Sequence, residues 1–127
     1  LMAHIYLSSP YTHQSETVRA LRHDRAALTT AKLMERGWVV FSPIVHAYTV
    51  AEFMDSERQL DHDFWMRQAR GMLRTAAYLV VLKIEGWDKS RGVREEILYA
   101  KENSIQIRYL GERDPLPSAM KLARAVA

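Results

Sequence analysis

Residues 78–100 read YLVVLKIEGWDKSRGVREEILYA, and this stretch decides the fold. Tyr78–Ile84 is the strongest apolar run in the chain and has the length of a buried strand. Gly86-Trp87-Asp88 makes a turn, and from Ser90 to Asn103 the spacing of Val93, Ile97 and Ala100 predicts a helix. Upstream, Leu60 to Thr75 reads as another helix, and Trp38–Phe41 is a short apolar strand closed by Ser42-Pro43. The segment Ile44 to Glu57 is weakly patterned and reads as a long loop, with or without a helical turn. Thr12 to Arg36 carries Val18, Leu21, Leu28, Ala31 and Met34 near a 3.6-residue period, with Gly37 at a C-cap position. His4–Ser9 is a first strand ended by Pro10, Ile105–Leu110 a last one, and Ser118 to Ala127 a terminal helix.

Strands that alternate with helices, without hairpin dipeptides between them, predict a parallel sheet covered on both faces. The expectation is a small flavodoxin- or Rossmann-like three-layer α/β sandwich of four to five strands. Residues 1–127 carry no repeat or linker and read as one domain. Ligands of such sheets sit outside the carboxyl ends of the strands. That rule selects Ser8–Tyr11, Ser42–Tyr48, Glu85–Arg94 and Gly111–Asp114.

Composition narrows the chemistry. With no cysteine, the chain has no disulfide framework, thiolate metal site or cysteine nucleophile, which fits a cytoplasmic setting. No apolar run approaches the roughly 20 residues of a membrane span. The net charge of +3 is spread over Arg19–Arg25, Arg67–Arg74 and Arg91–Arg94, each mixed with apolar residues at helical spacing. Such stretches read as solvated helix faces or as contacts to a small anion, and disfavour a nucleic-acid groove. The five histidines show no metal-ligand spacing, and no cofactor or metal is expected.

The helix opening at Ser90 presents its first amides and positive dipole end to the ligand edge, where a phosphate or carboxylate is stabilised. Ser90 can cap the helix or donate to an anion, Arg91 follows it, and Gly92 lets a ligand approach the backbone. A plain N-cap with solvated arginines has the same local pattern. At about 100° per residue, Glu95 falls nearly opposite the Val93-Ile97-Ala100 stripe, facing solvent, whereas Glu96 lies on its flank. A carboxylate so placed can act as nucleophile or base, so Glu96 is the candidate. His46 follows the second strand at the ligand edge, as packing or as a substrate contact.

Ile5-Tyr6-Leu7-Ser8-Ser9-Pro10, the Tyr78-to-Leu82 strand and Ser90-x-Gly92-Val93-x-x-Glu96-Ile97-x-Tyr99-Ala100 together resemble the nucleoside 2-deoxyribosyltransferase superfamily. The likeness runs over about residues 4–110 and is closest to a short bacterial and phage branch with the strings V-F-S-P-I-V-H and G-W-x-x-S-x-G-V, here residues 40–46 and 86–93. The resemblance implies that Glu96 attacks the anomeric carbon of a nucleoside sugar and that Tyr6 holds the nucleophile or sugar. It places Ser8, Ser9, Pro10 and His46 along the substrate pocket. Ser90 and Gly92 then grip the phosphate, as in the branch that hydrolyses nucleoside 5′-monophosphates, and Arg91 between them is a further substrate-binding candidate.

In that superfamily an aspartate near the middle of the helix before the central strand protonates or orients the leaving base. Here Ala69 or Arg70 stands there, and the nearest acids are Asp61 and Asp63. Either the helix is shifted and Asp63, or Asp61, fills the role, or the acid is missing, and Asp63 is the candidate. The implied activity is hydrolysis of the N-glycosidic bond of a (deoxy)nucleoside 5′-monophosphate. Transfer between nucleosides and non-catalytic nucleotide sensing are the alternatives. The resemblance further implies a homodimer or higher homo-oligomer, with Ile44–Glu57 and an exposed Trp65 or Trp87 as candidate interface segments.

Overall fold

A computed structural model describes residues 3–117. The elements are β1 (Ile5–Ser8), α1 (Glu16–Glu35), β2 (Val40–Phe41), α2 (Pro43–Ala51), α3 (Ser56–Gln59), α4 (His62–Leu73), β3 (Tyr78–Lys83), α5 (Arg91–Glu102) and β4 (Gln106–Gly111). Every strand pairing is parallel, and the order across the sheet is β2-β1-β3-β4. This is the expected small flavodoxin- or Rossmann-like α/β fold, with four strands among the described residues. The terminal helix expected at Ser118–Ala127 lies outside the described residues.

Alternation along the strands divides the core in two. Ile5, Leu7, Tyr78, Val80 and Leu82 face one side, where Leu33 of α1 and Trp38 cover them. Tyr6, Leu79 and Val81 face the other, against Ala69 and Leu73 of α4 and Val93 and Ala100 of α5. From β1 the chain crosses to the outer strand β2, whereas β3 leads to β4 at the opposite edge. The carboxyl ends of β1 and β3 therefore flank the point where the winding reverses, which is where open α/β sheets bind ligands.

Two expectations are corrected. The face of α1 that meets the core carries Ala26, Thr30 and Leu33, while Leu21, Leu28 and Met34 of the expected stripe are about half exposed. Apolar residues are scattered around this helix, so its period does not single out one face, and the side against the core is built from mostly small residues. The weakly patterned segment after Pro43 forms α2. The Ser42 side chain accepts from the Val45 amide, and Pro43 occupies the first turn, where its missing N–H costs nothing. The same logic starts the neighbouring helices: Asp55, Asp61 and Ser90 each accept from the amide three residues on. Two glycines take left-handed backbone, Gly37 at φ 93° after α1 and Gly86 at φ 91° after β3. No helix among the described residues is long and apolar enough to cross a membrane.

The corrected face of α1 is directly testable. Leu33→Ala should lower the unfolding free energy by about 2–5 kcal/mol, the cost of a cavity at a buried leucine. Leu28→Ala should change it by less than about 0.5 kcal/mol. Urea denaturation of both variants checks the pair.

Candidate active site

The pleat of β1 sends Tyr6 and Ser8 to the face covered by α4 and α5, and both are completely buried. On α5 the buried positions are Val93, Glu96 and Ala100, one helical stripe. Two of them are ordinary core residues, and the third is a carboxylic acid with only 5% of its surface exposed. Its oxygens are both engaged. The Tyr6 hydroxyl donates to Glu96 Oε2, and Ser8 Oγ donates to Oε1 at 2.8 Å.

Burial dominates the electrostatics of this cluster. Desolvation pushes the Glu96 carboxyl up to about 7 against the pull of the Tyr6 and Ser8 hydrogen bonds, with the nearby Glu95 charge adding to the rise. The Tyr6 hydroxyl is held well above its ordinary value by burial and by the adjoining carboxylate, so it remains a donor. Glu96 therefore titrates near neutrality, where it can serve as a nucleophile or a base.

Glu95 differs from its expected place in bulk solvent. Its side chain is partly covered, accepting from Arg91 Nε at 3.1 Å and lying 2.8 Å from His62 Nε2 of α4. Hydrogen bonding from His62, helped by Arg91, holds the Glu95 carboxyl below its ordinary value. Arg91 is thus turned toward Glu95.

The other expected residues divide. Ser9 and Pro10 are buried where the chain leaves β1, and the Ser9 hydroxyl has no hydrogen-bond partner among the described residues. Ser90 caps α5, accepting from the Val93 amide at 3.2 Å. A methyl group at Gly92 would meet only the Ser90 hydroxyl, at 3.9 Å, so the backbone there is open to approach. His46 lies exposed on α2, its ring 5.4 Å from Phe41, which in turn lies 5.8 Å from Tyr6. Asp63 is exposed in the first turn of α4 and makes no hydrogen bond to Tyr6, Ser8 or Glu96. Trp65 and Trp87 are only partly exposed: Trp65 Nε1 donates to the Gln59 carbonyl, and Trp87 packs against the core and Tyr109. The strongly exposed apolar side chains between α2 and α4 are instead Phe53 and Leu60. No group of acidic or histidine side chains among the described residues could hold a metal ion.

His62 was not singled out by the sequence, which offered only the absence of metal spacing. The signal available was its position four, seven and eleven residues before Met66, Ala69 and Leu73, on the buried stripe of α4.

A family model described as a domain of unknown function, DUF1937, matches residues 3–111. The chain belongs to this family. The matched DUF1937 region runs from just before β1 to the end of β4, so the family unit holds the whole described sheet together with Tyr6, Ser8, His62, Glu95 and Glu96. No curated protein matches the DUF1937 chain by sequence.

A raised carboxyl makes stability depend on pH with a defined sign. The folded state holds the Glu96 proton up to about pH 7, whereas an unfolded glutamate releases it near 4.5. The stabilising effect of the proton is complete below 4.5 and is lost as pH rises through 7, a decline of up to about 3 kcal/mol. Glu96→Gln removes this slope. Its stability relative to wild type should therefore rise between pH 5 and pH 8 in urea melts; parallel pH profiles for the two proteins would contradict the assignment.

Proposed function

We propose that this chain hydrolyses the N-glycosidic bond of (deoxy)nucleoside 5′-monophosphates, with Glu96 as nucleophile. The observation that carries the reading is a single buried carboxyl, gripped on both oxygens by Tyr6 and Ser8 beside the reversal point of the sheet. Cleavage of a glycosidic bond passes through an oxocarbenium-like state, which a carboxylate close to the anomeric carbon stabilises and can capture as a glycosyl ester. Around a carboxyl as buried as Glu96, that charge interaction is stronger than in bulk solvent. Tyr6 and Ser8 keep the carboxylate from rotating, so its attack is oriented in advance.

The phosphate has its counterpart at the start of α5. The Arg91 and Gly92 amides open a helix of 12 residues one turn from Glu96, with free space over Gly92. A phosphate held there fixes the sugar while the base departs. Water arriving at the glycosyl ester completes hydrolysis, and a second nucleobase in its place gives transfer.

Chromatography of free base released from a panel of nucleosides and 5′-monophosphates tests the proposal. At least one 5′-monophosphate should release its base faster than the matching nucleoside. Glu96→Gln should lower that rate by a factor on the order of 10³ or more. Because Glu96 attacks as a carboxylate, kcat/KM of the wild type should rise with pH through about 7. Nucleotide binding in calorimetry without base release would identify a sensor instead, and release that survives in Glu96→Gln would remove Glu96 as nucleophile.

A further inference from the structure

We infer that His62, oriented by Glu95, is the proton donor to the departing base; this rests on the N-glycosidase reading above. Of the two aspartates nearest the expected place, Asp63 is exposed and Asp61 caps α4 through the Phe64 amide. The pair His62 Nε2 and Glu95 Oε2, 2.8 Å apart, joins the first turn of α4 to the second turn of α5. Both helices cover the face of the sheet that bears Tyr6 and Ser8. Because α4 leads back into β3, its first turn stands at the carboxyl ends of the strands, the same end from which α5 departs. His62 also heads the stripe that continues through Met66, Ala69 and Leu73, and its side chain is turned to α5 and partly covered, whereas Asp63 is exposed.

The arrangement has the parts of an oriented acid. Glu95 fixes the imidazole through Nε2, and Arg91 braces the other Glu95 oxygen at 3.1 Å. Nδ1 is then the atom that meets the base. In the first step Glu96 forms a bond to the anomeric carbon while the C–N bond breaks. The bond pair goes to the base nitrogen, and the proton on Nδ1 passes to the base. His62 is left neutral, keeping its Nε2–H, which still donates to Glu95. In the second step water attacks the anomeric carbon and Glu96 departs as a carboxylate. The released water proton returns to Nδ1, which restores the imidazolium. The sum is nucleotide plus water giving sugar phosphate plus base, with nothing further required. Glu95 is a positioning residue, since it acts through the imidazole.

A tie between two helices would give the same contacts, so the test must separate chemistry from architecture. A leaving group that needs no proton does so. Wild type, His62→Ala, His62→Gln and Glu95→Gln are compared on the 5′-monophosphate that the wild type cleaves and on the 4-nitrophenyl glycoside of the same sugar phosphate. His62→Gln keeps a hydrogen-bond donor for Glu95 but has no proton to give. Both His62 variants should slow base release by on the order of 10²–10⁴-fold while leaving the first-turnover burst of 4-nitrophenolate within a few-fold of wild type, since only the later attack of water still calls on His62. Glu95→Gln should show a smaller loss, again confined to the natural base. Equal first-turnover losses on both substrates, or no loss on either, would overturn the assignment of His62 while leaving Glu96 in place. A wild type that releases neither base nor 4-nitrophenolate would overturn the N-glycosidase reading, and this inference with it.

Discussion

A carboxyl group taken out of water constrains everything around it. Glu96 occupies a position on α5 that its neighbours on the stripe, Val93 and Ala100, use for ordinary packing. Putting an acid there is unfavourable unless its oxygens find donors, and the donors come from the one strand whose pleat aims two hydroxyls at the same point. The second glutamate is handled differently. One residue along the helix means a rotation of about 100°, which carries Glu95 out of the dry layer and into reach of His62 and Arg91. Adjacent carboxylates are thereby driven apart, one toward a proton near neutrality and one toward a permanent charge. Sorting titratable groups in this way by environment is how one fold comes to hold an acid and a base together.

The sequence made some of this legible and hid the rest for physical reasons. Tyr78–Lys83 and Arg91–Glu102 were readable because a fully buried strand and a capped amphipathic helix leave strong local patterns, and the flank position of Glu96 followed from helix geometry alone. Tyr6 and Ser8 came from the family resemblance and from the rule about strand ends. Their convergence on Glu96 is a contact across 88–90 residues that no local pattern encodes. The inner face of α1 was unreadable because its core contacts fall on Ala26 and Thr30, residues that hydropathy scarcely ranks above their neighbours. The start of α2 was signalled by Ser42-Pro43, but that pair also ends a strand, and without a polar stripe behind it the helix reads as loop. His62 was missed because a single histidine gains meaning only from the partner that a different helix brings to it.

The order β2-β1-β3-β4 gives the site its location and ties chemistry to topology. With the winding reversed at β1, the crossovers on either side diverge from the strand ends there, while α4 and α5 share the adjoining face. The elements that carry Tyr6, Ser8 and Glu96 are thus also those that close the core, so their positions are set by packing against Leu79 and Val81 rather than by loops. Sites built on such rigid elements hold their geometry more tightly than sites on loops.

The same strand order shapes how the molecule is made. β1 is an inner strand, yet its longer partner, β3, lies some seventy residues further along the chain. During synthesis β1 waits through the whole of α1 to α4 with one edge bare, and the ladder that covers it is non-local and parallel, the slowest kind to close. Until then Tyr6 and Ser8 are ordinary side chains on an unpaired strand, and the carboxyl that completes the cluster has not yet been joined to the chain. The cluster is therefore assembled near the end of folding, and the interval before it is when an exposed edge is most open to pairing with a neighbouring chain.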